Sequence, residues 1–108
     1  MRLLFLLLVL IVSPAFAGKQ TGKVDIVIVR ASDGLISFTL SGGSKTESPS
    51  CATEGYWMIR DENSNVGKQQ YSMILTAHAS GKTVTVVGAN ACSRWRDGED
   101  VDYIQLRH

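Results

Sequence analysis

The chain has 108 residues, 44% of them hydrophobic and 19% charged, with two cysteines, two histidines and a formal net charge of +1. That length holds one ordinary domain rather than two, and the apolar content with balanced charge excludes a disordered chain. Two cysteines exclude a disulfide-dense miniprotein and a four-cysteine zinc site.

The chain opens on a targeting pattern. Met1-Arg2 is cationic, Leu3 to Val12 is an unbroken apolar run, Ser13-Pro14 interrupts it, and Ala15-Phe16-Ala17 has the small-x-small form of a cleavage site. This predicts a secretory signal peptide over residues 1–17, cleaved after Ala17, and a single domain over residues 18–108. The run is short against the roughly 20 residues of a spanning helix, and no later stretch could span a bilayer, so no membrane span is expected in the mature chain. The expected location is periplasmic or secreted, in a bacterium. Removing Arg2 takes the Lys and Arg count from eleven to ten, against ten Asp and Glu. A neutral mature chain without a basic stripe is not expected to bind nucleic acid. An oxidising compartment also predicts a bridge between Cys51 and Cys92. The other reading, a redox or nucleophilic thiol, lacks a Cys-x-x-Cys and a neighbouring histidine.

In chain order, residues 23–31 (KVDIVIVRA) form a β-branched first strand, with Val24, Ile26 and Ile28 expected on one face and Asp25, Val27 and Val29 on the other. Ser32-Asp33-Gly34 marks a hairpin turn. Residues 35–40 then alternate, with Ile36, Phe38 and Leu40 on one side. A polar Gly/Ser/Pro loop runs to Cys51, and residues 56–60 (YWMIR) make a short third strand. The period then changes: Tyr71, Ile74, Leu75 and His78 lie at helical spacing. Ser64 or Asn65 can cap the start and Gly81 can end the helix in a left-handed conformation, which predicts a helix over 67–80. Residues 82–87 and 101–106 return to strand period, on either side of a charged segment at 93–100. The order β-β-β-α-β-β with the helix between strands three and four is that of an OB-fold-like, five-stranded, partly open barrel. The alternative is a small α+β sheet with one helix on its face.

The catalytic inventory is thin. No phosphate-binding glycine loop, paired-histidine zinc motif or Gly-x-Ser-x-Gly elbow occurs. No enzyme activity, cofactor or metal is expected. His78 is the one sensible base, and it reads as a helix residue at the core edge. The acidic run 97–102 lacks EF-hand spacing and reads as a solvated turn. Arg94-Trp95-Arg96 sets cations beside an aromatic; this can bind an acidic sugar or carboxylate, or be neutralised by the neighbouring acids. Trp57 and Tyr71 read as core, and Thr83 and Thr85 as an exposed polar ladder.

Thr21-Gly22-Lys23-Val24 leading to Ser32-Asp33-Gly34, Cys51 leading to Trp57, and residues 78–86 (HASGKTVTV) together resemble the B subunits of subtilase cytotoxin and its pertussis-like relatives. The resemblance spans most of residues 21–106. It implies an OB-fold, a ring-shaped homopentamer that binds cell-surface glycans, and a separate A subunit. It places Thr21 at the family's glycan-contacting serine and His78 at a family tyrosine. The chain departs from the family in having Phe38 and Thr39 where strand two carries a cysteine, and in lacking the family's cysteine-bearing C-terminal tail. The resulting expectation is an exported, non-enzymatic, glycan-binding subunit with Thr21, His78, Arg94, Trp95 and Arg96 as candidate contacts. The alternative is a monomeric periplasmic protein that binds or inhibits another protein.

Overall fold

The computed structural model describes residues 17–108; the expected signal peptide, except for Ala17, lies outside the described residues. The elements are β1 (Lys19–Val29), β2 (Ile36–Ser41), β3 (Trp57–Met58), α1 (Asn65–Ser80), β4 (Thr83–Gly88) and β5 (Glu99–Leu106). The strands close into a barrel in the order β1-β2-β3-β5-β4, with β4 pairing back onto β1. All pairs are antiparallel except β3 with β5. This is the OB-fold-like barrel predicted from element order, and it sets aside the open-sheet alternative. Among the described residues no helix is long and apolar enough to cross a membrane.

The barrel is filled by Val24, Ile36, Phe38, Leu40, Trp57, Ile59, Val84, Val86, Val101 and Ile104, joined by Ile74 and Ala77 of α1. Strands β2 and β4 face inward as their alternation predicts. Trp57 is fully buried, and its indole N–H donates to Gln20 Oε1 at 2.9 Å, so the largest core side chain leaves no orphaned donor. Thr85 departs from its expected exposure. It is 2% exposed, and its hydroxyl shares a 2.8 Å hydrogen bond with that of Thr21, its cross-strand partner.

Strand β1 corrects the expected face assignment. Val24 pairs with Leu40 and Val27 with Phe38, so Asp25 and Ile26 together oppose Thr39 in a bulge. The Ile26 N–H donates to Thr39 Oγ1 at 3.2 Å. One extra residue inverts the alternation beyond it. Val24 and Val27 therefore turn inward, and Ile26 and Ile28 turn outward at 52% and 50% exposure.

The helix differs from expectation in the same way. Ser64 caps it, its hydroxyl accepting from the Gly67 N–H, and Gly81 ends it at φ 67°. The buried face is Gly67, Gln70, Ile74 and Ala77, whereas Leu75 and His78 are exposed. Two contacts set this rotation. A Cβ at Gly67 would lie 1.9 Å from the Asp61 carbonyl oxygen, so only glycine allows that approach. The Gln70 amide donates to the Asp102 carbonyl at 2.9 Å.

Strand β5 begins at Glu99, inside the segment expected to be a solvated turn. Glu99 and Asp100 are both fully buried, because backbone N–H groups and Lys45 meet them inside the protein. Cys51 and Cys92 form the expected disulfide, 41 residues apart in sequence, and it ties the β2–β3 loop (42–56) to the β4–β5 loop (89–98). Such a bridge belongs to a non-reducing, extracellular-type environment. Replacing both cysteines by alanine is expected to lower stability by about 4 kcal/mol, the chain-entropy value for a loop of that length. Urea unfolding of the double variant measures this, and a loss below about 1 kcal/mol would show that the two loops hold one another without the bridge.

Candidate functional site

The outer wall of β1, β2 and β3 carries one continuous row. Ile28 pairs with Ser37, and Ser37 pairs with Met58, so the three side chains point to the same side, opposite Phe38 and Trp57. The β1–β2 loop (30–35) adds Arg30 and Leu35, the residue before β3 adds Tyr56, and the β4–β5 loop adds Trp95. Together they line a cleft of about 180 Å³. Gly98 underlies it: a Cβ there would stand 2.5 Å from Tyr56 Cε2 and 2.9 Å from Met58 Cγ.

The loop that carries Trp95 is held at several points. Asp100 accepts hydrogen bonds from the Ser93 N–H, the Ser93 hydroxyl and the Arg94 N–H. Cys92 is bridged to Cys51. Tyr56 donates its phenolic O–H to Asp97, and the Glu54 N–H donates to the Asp97 carbonyl at 3.1 Å. Arg94 makes a two-pronged contact with Glu62, through Nε at 3.0 Å and Nη2 at 2.8 Å, and Nη2 also donates to the Asp33 carbonyl at 3.2 Å. Arg94 thus joins the β1–β2 loop, the turn before α1 and the β4–β5 loop.

Charges around the cleft are paired in turn. Arg30 binds Asp33 through Nε at 3.0 Å and Nη2 at 2.6 Å, and its guanidinium lies 4.6 Å from the centre of the Trp95 ring. The Arg30 contact, helped by the Leu35 N–H, holds the Asp33 carboxyl well below the usual carboxylate range. Arg94 lowers the Glu62 carboxyl in the same sense. Burial, and then the hydrogen bond to Asp97, push the Tyr56 phenol up to about 12. It therefore stays protonated at physiological pH. Arg96 lies 5.7 Å from the Trp95 ring, and no ion pair to it is present among the described residues. The arrangement offers an apolar, aromatic floor with a phenol and one unpaired guanidinium at its margin. It is suited to binding.

The residues singled out by sequence fall in three places. Trp95 lines the cleft, Arg96 flanks Trp95, and Arg94 is engaged by Glu62 and Asp33. Thr21 sits on the β1–β4 wall, hydrogen-bonded to Thr85. His78 is exposed in the last turn of α1. Neither Thr21 nor His78 lines the cleft. Sequence reasoning missed Ile28, Arg30, Leu35, Ser37, Tyr56 and Met58 as site residues. The signal that could have found them is topological, since the barrel order brings the β1–β2 and β4–β5 loops together over the β2–β3 face.

Because Asp33 and Glu62 have lowered pKa values, their ties are complete above the unfolded carboxylate range and are lost as pH falls through the folded values. The Trp95 indole N–H resonance is expected to hold its position above about pH 5 and to shift or broaden in stronger acid. Glu62→Gln should produce part of that change at neutral pH. A resonance unchanged by both acid and Glu62→Gln would show that these pairs do not position Trp95.

The chain matches no protein-family model, and no curated protein and no solved structure matches it significantly.

Proposed function

We propose that the chain is an exported, non-enzymatic binding protein that takes a glycan, as the toxin B subunits it resembles do, but in this cleft rather than at Thr21. One observation carries the reading: Trp95 and Tyr56 are held on the β2–β3 face between the two loops with which OB-fold barrels grip oligosaccharides and oligonucleotides. A neutral mature chain argues against the oligonucleotide. Arg30 and Arg94 already have carboxylate partners, so recognition rests on the apolar face of a sugar ring against Trp95 and Ile28, with the fully buried Met58 backing them from beneath and with Tyr56 and Arg96 reading hydroxyls or one acidic group. In the toxin-like arrangement the chain assembles as a homopentamer and carries an A subunit.

A second reading, a monomeric protein that binds or inhibits a periplasmic partner, draws on the outward-facing Ile26 and Ile28 of β1, exposed at 52% and 50%. An apolar strip continuous with the cleft fits a protein surface as well as a sugar.

Light scattering on the oxidised protein, followed by a glycan screen with wild type, Trp95→Ala and Thr21→Ala, separates these readings. We expect a pentameric mass, and an affinity loss of about tenfold or more for Trp95→Ala against less than about threefold for Thr21→Ala. The reverse ranking moves the sugar to the β1–β4 wall, where the resemblance places it. A monomeric mass with no glycan retained favours the protein-binding reading.

A further inference from the structure

Gly18 is buried at the start of β1. Its carbonyl accepts from the Gly88 N–H at 2.8 Å, and its nitrogen donates to Glu99 Oε2 at 3.0 Å. A Cβ at position 18 would stand 2.2 Å from Glu99 Oε1, so the carboxylate lies directly against this glycine. Glu99 is fully buried. Its Oε2 also accepts from the Asn90 N–H at 3.1 Å, but its Oε1 has no hydrogen-bond partner among the described residues. Lys45 Nζ is 3.8 Å from Oε1, beyond hydrogen-bond reach. It too is buried without a hydrogen-bond partner among the described residues, and it sits 3.9 Å from the centre of the Trp57 ring. A buried carboxylate with an empty acceptor beside Gly18 is incompletely compensated.

The Gly18 nitrogen is also the atom that processing after Ala17 would free. We propose that this seat is a receptor for the processed N-terminus: the α-ammonium of Gly18 enters as the second cation on Glu99. The inference rests on reading residues 1–17 as a cleaved leader. Hydrolysis breaks the Ala17–Gly18 C–N bond, leaving the hydroxyl of water on the Ala17 carbonyl carbon and its hydrogen on the Gly18 nitrogen. That nitrogen then takes a proton from solvent, since an α-amino group is ordinarily protonated below about pH 8. One donor becomes three, enough to keep Oε2 and to reach Oε1. Any side chain at position 18 would collide with the carboxylate, and a retained Ala17 would carry the charge past it. Maturation thus completes the polar seam where β1 meets β4 and β5.

The test begins with the full chain expressed in an exporting bacterial host, with an intact mass on the product. A mass corresponding to residues 18–108 is expected; any other start overturns the processing half of the proposal and the leader boundary with it. Urea unfolding near neutral pH then compares the Gly18-start protein with a matched chain that keeps Ala17. The unfolding equilibrium constant is expected to be about tenfold or more smaller for the Gly18 start. The difference should vanish when both chains carry Glu99→Gln. Equal constants, or a difference that persists in Glu99→Gln, overturn the receptor whatever the natural start. If Glu99→Gln does not fold, labelling of the Gly18 amine by an amine-reactive ester decides. Labelling at least about tenfold slower in the folded protein than in urea supports capture of a charged, buried amine, and equal rates overturn it.

Discussion

Glu99 and Asp100 are adjacent, ionisable and fully buried, a combination that costs several kcal/mol per ion unless hydrogen bonds and counter-charges answer it. Successive residues of a strand point to opposite sides, so the two carboxylates serve different parts of the molecule. Glu99 gathers the Gly18 and Asn90 N–H groups with Lys45 close by, which fastens the start of β1 to the β4–β5 connection. Asp100 gathers the Ser93 and Arg94 N–H groups and the Ser93 hydroxyl, which shapes the segment leading into Trp95. One dipeptide therefore couples barrel closure to the geometry of the cleft.

The cleft inherits its rigidity from that coupling. Trp95 sits on a loop fastened by a disulfide, a buried carboxylate and the Arg94 contacts with Glu62 and Asp33, so a ligand of the proposed kind would find little of the loop left to order. Preorganisation of this kind raises affinity by lowering the entropy lost on binding rather than by adding contacts. The same pairings remove most of the positive charge that Arg30, Arg94 and Arg96 would otherwise project. On the glycan-binding reading proposed above, selectivity rests on the shape of the floor beside Ile28 and Trp95 and on hydroxyl contacts at its rim.

Much of the barrel was legible in the sequence because its inward faces alternate cleanly, as in Ile36, Phe38 and Leu40 and again in Val84 and Val86. The helix ends were legible too, since Ser64 and Gly81 have capping chemistry of their own. The faces of β1 were not, because one bulge opposite Thr39 inverts every residue beyond it and no residue type in VDIVIV marks the spot. The helix face was misjudged through Leu75 and His78, because the contacts of Gly67 with Asp61 and of Gln70 with Asp102 are tertiary and outweigh a weak apolar period. Glu99 and Asp100 read alike whether solvated or buried; only their backbone donors, some distant in sequence, distinguish the two cases. The cleft was half legible. Trp95 and Arg96 stood out locally, while Tyr56, Met58 and Ile28 become neighbours of Trp95 only through the barrel.

The disulfide also bears on how quickly the barrel can form. The parallel pairing of β3 with β5, through Trp57 with Glu99 and Met58 with Asp100, is short and non-local, the kind of contact that folding chains make late. The Cys51–Cys92 bridge spans nearly the same interval. Once it has formed, the effective path from Trp57 to Glu99 runs back to Cys51, across the bridge and on from Cys92, about a third of the direct route. By loop-closure scaling this removes roughly 1 kcal/mol from the entropic cost of bringing the two strands together. Oxidation thus acts as a chain-shortening step, and the order of events during folding, bridge before barrel or barrel before bridge, sets how long the strands remain unpaired.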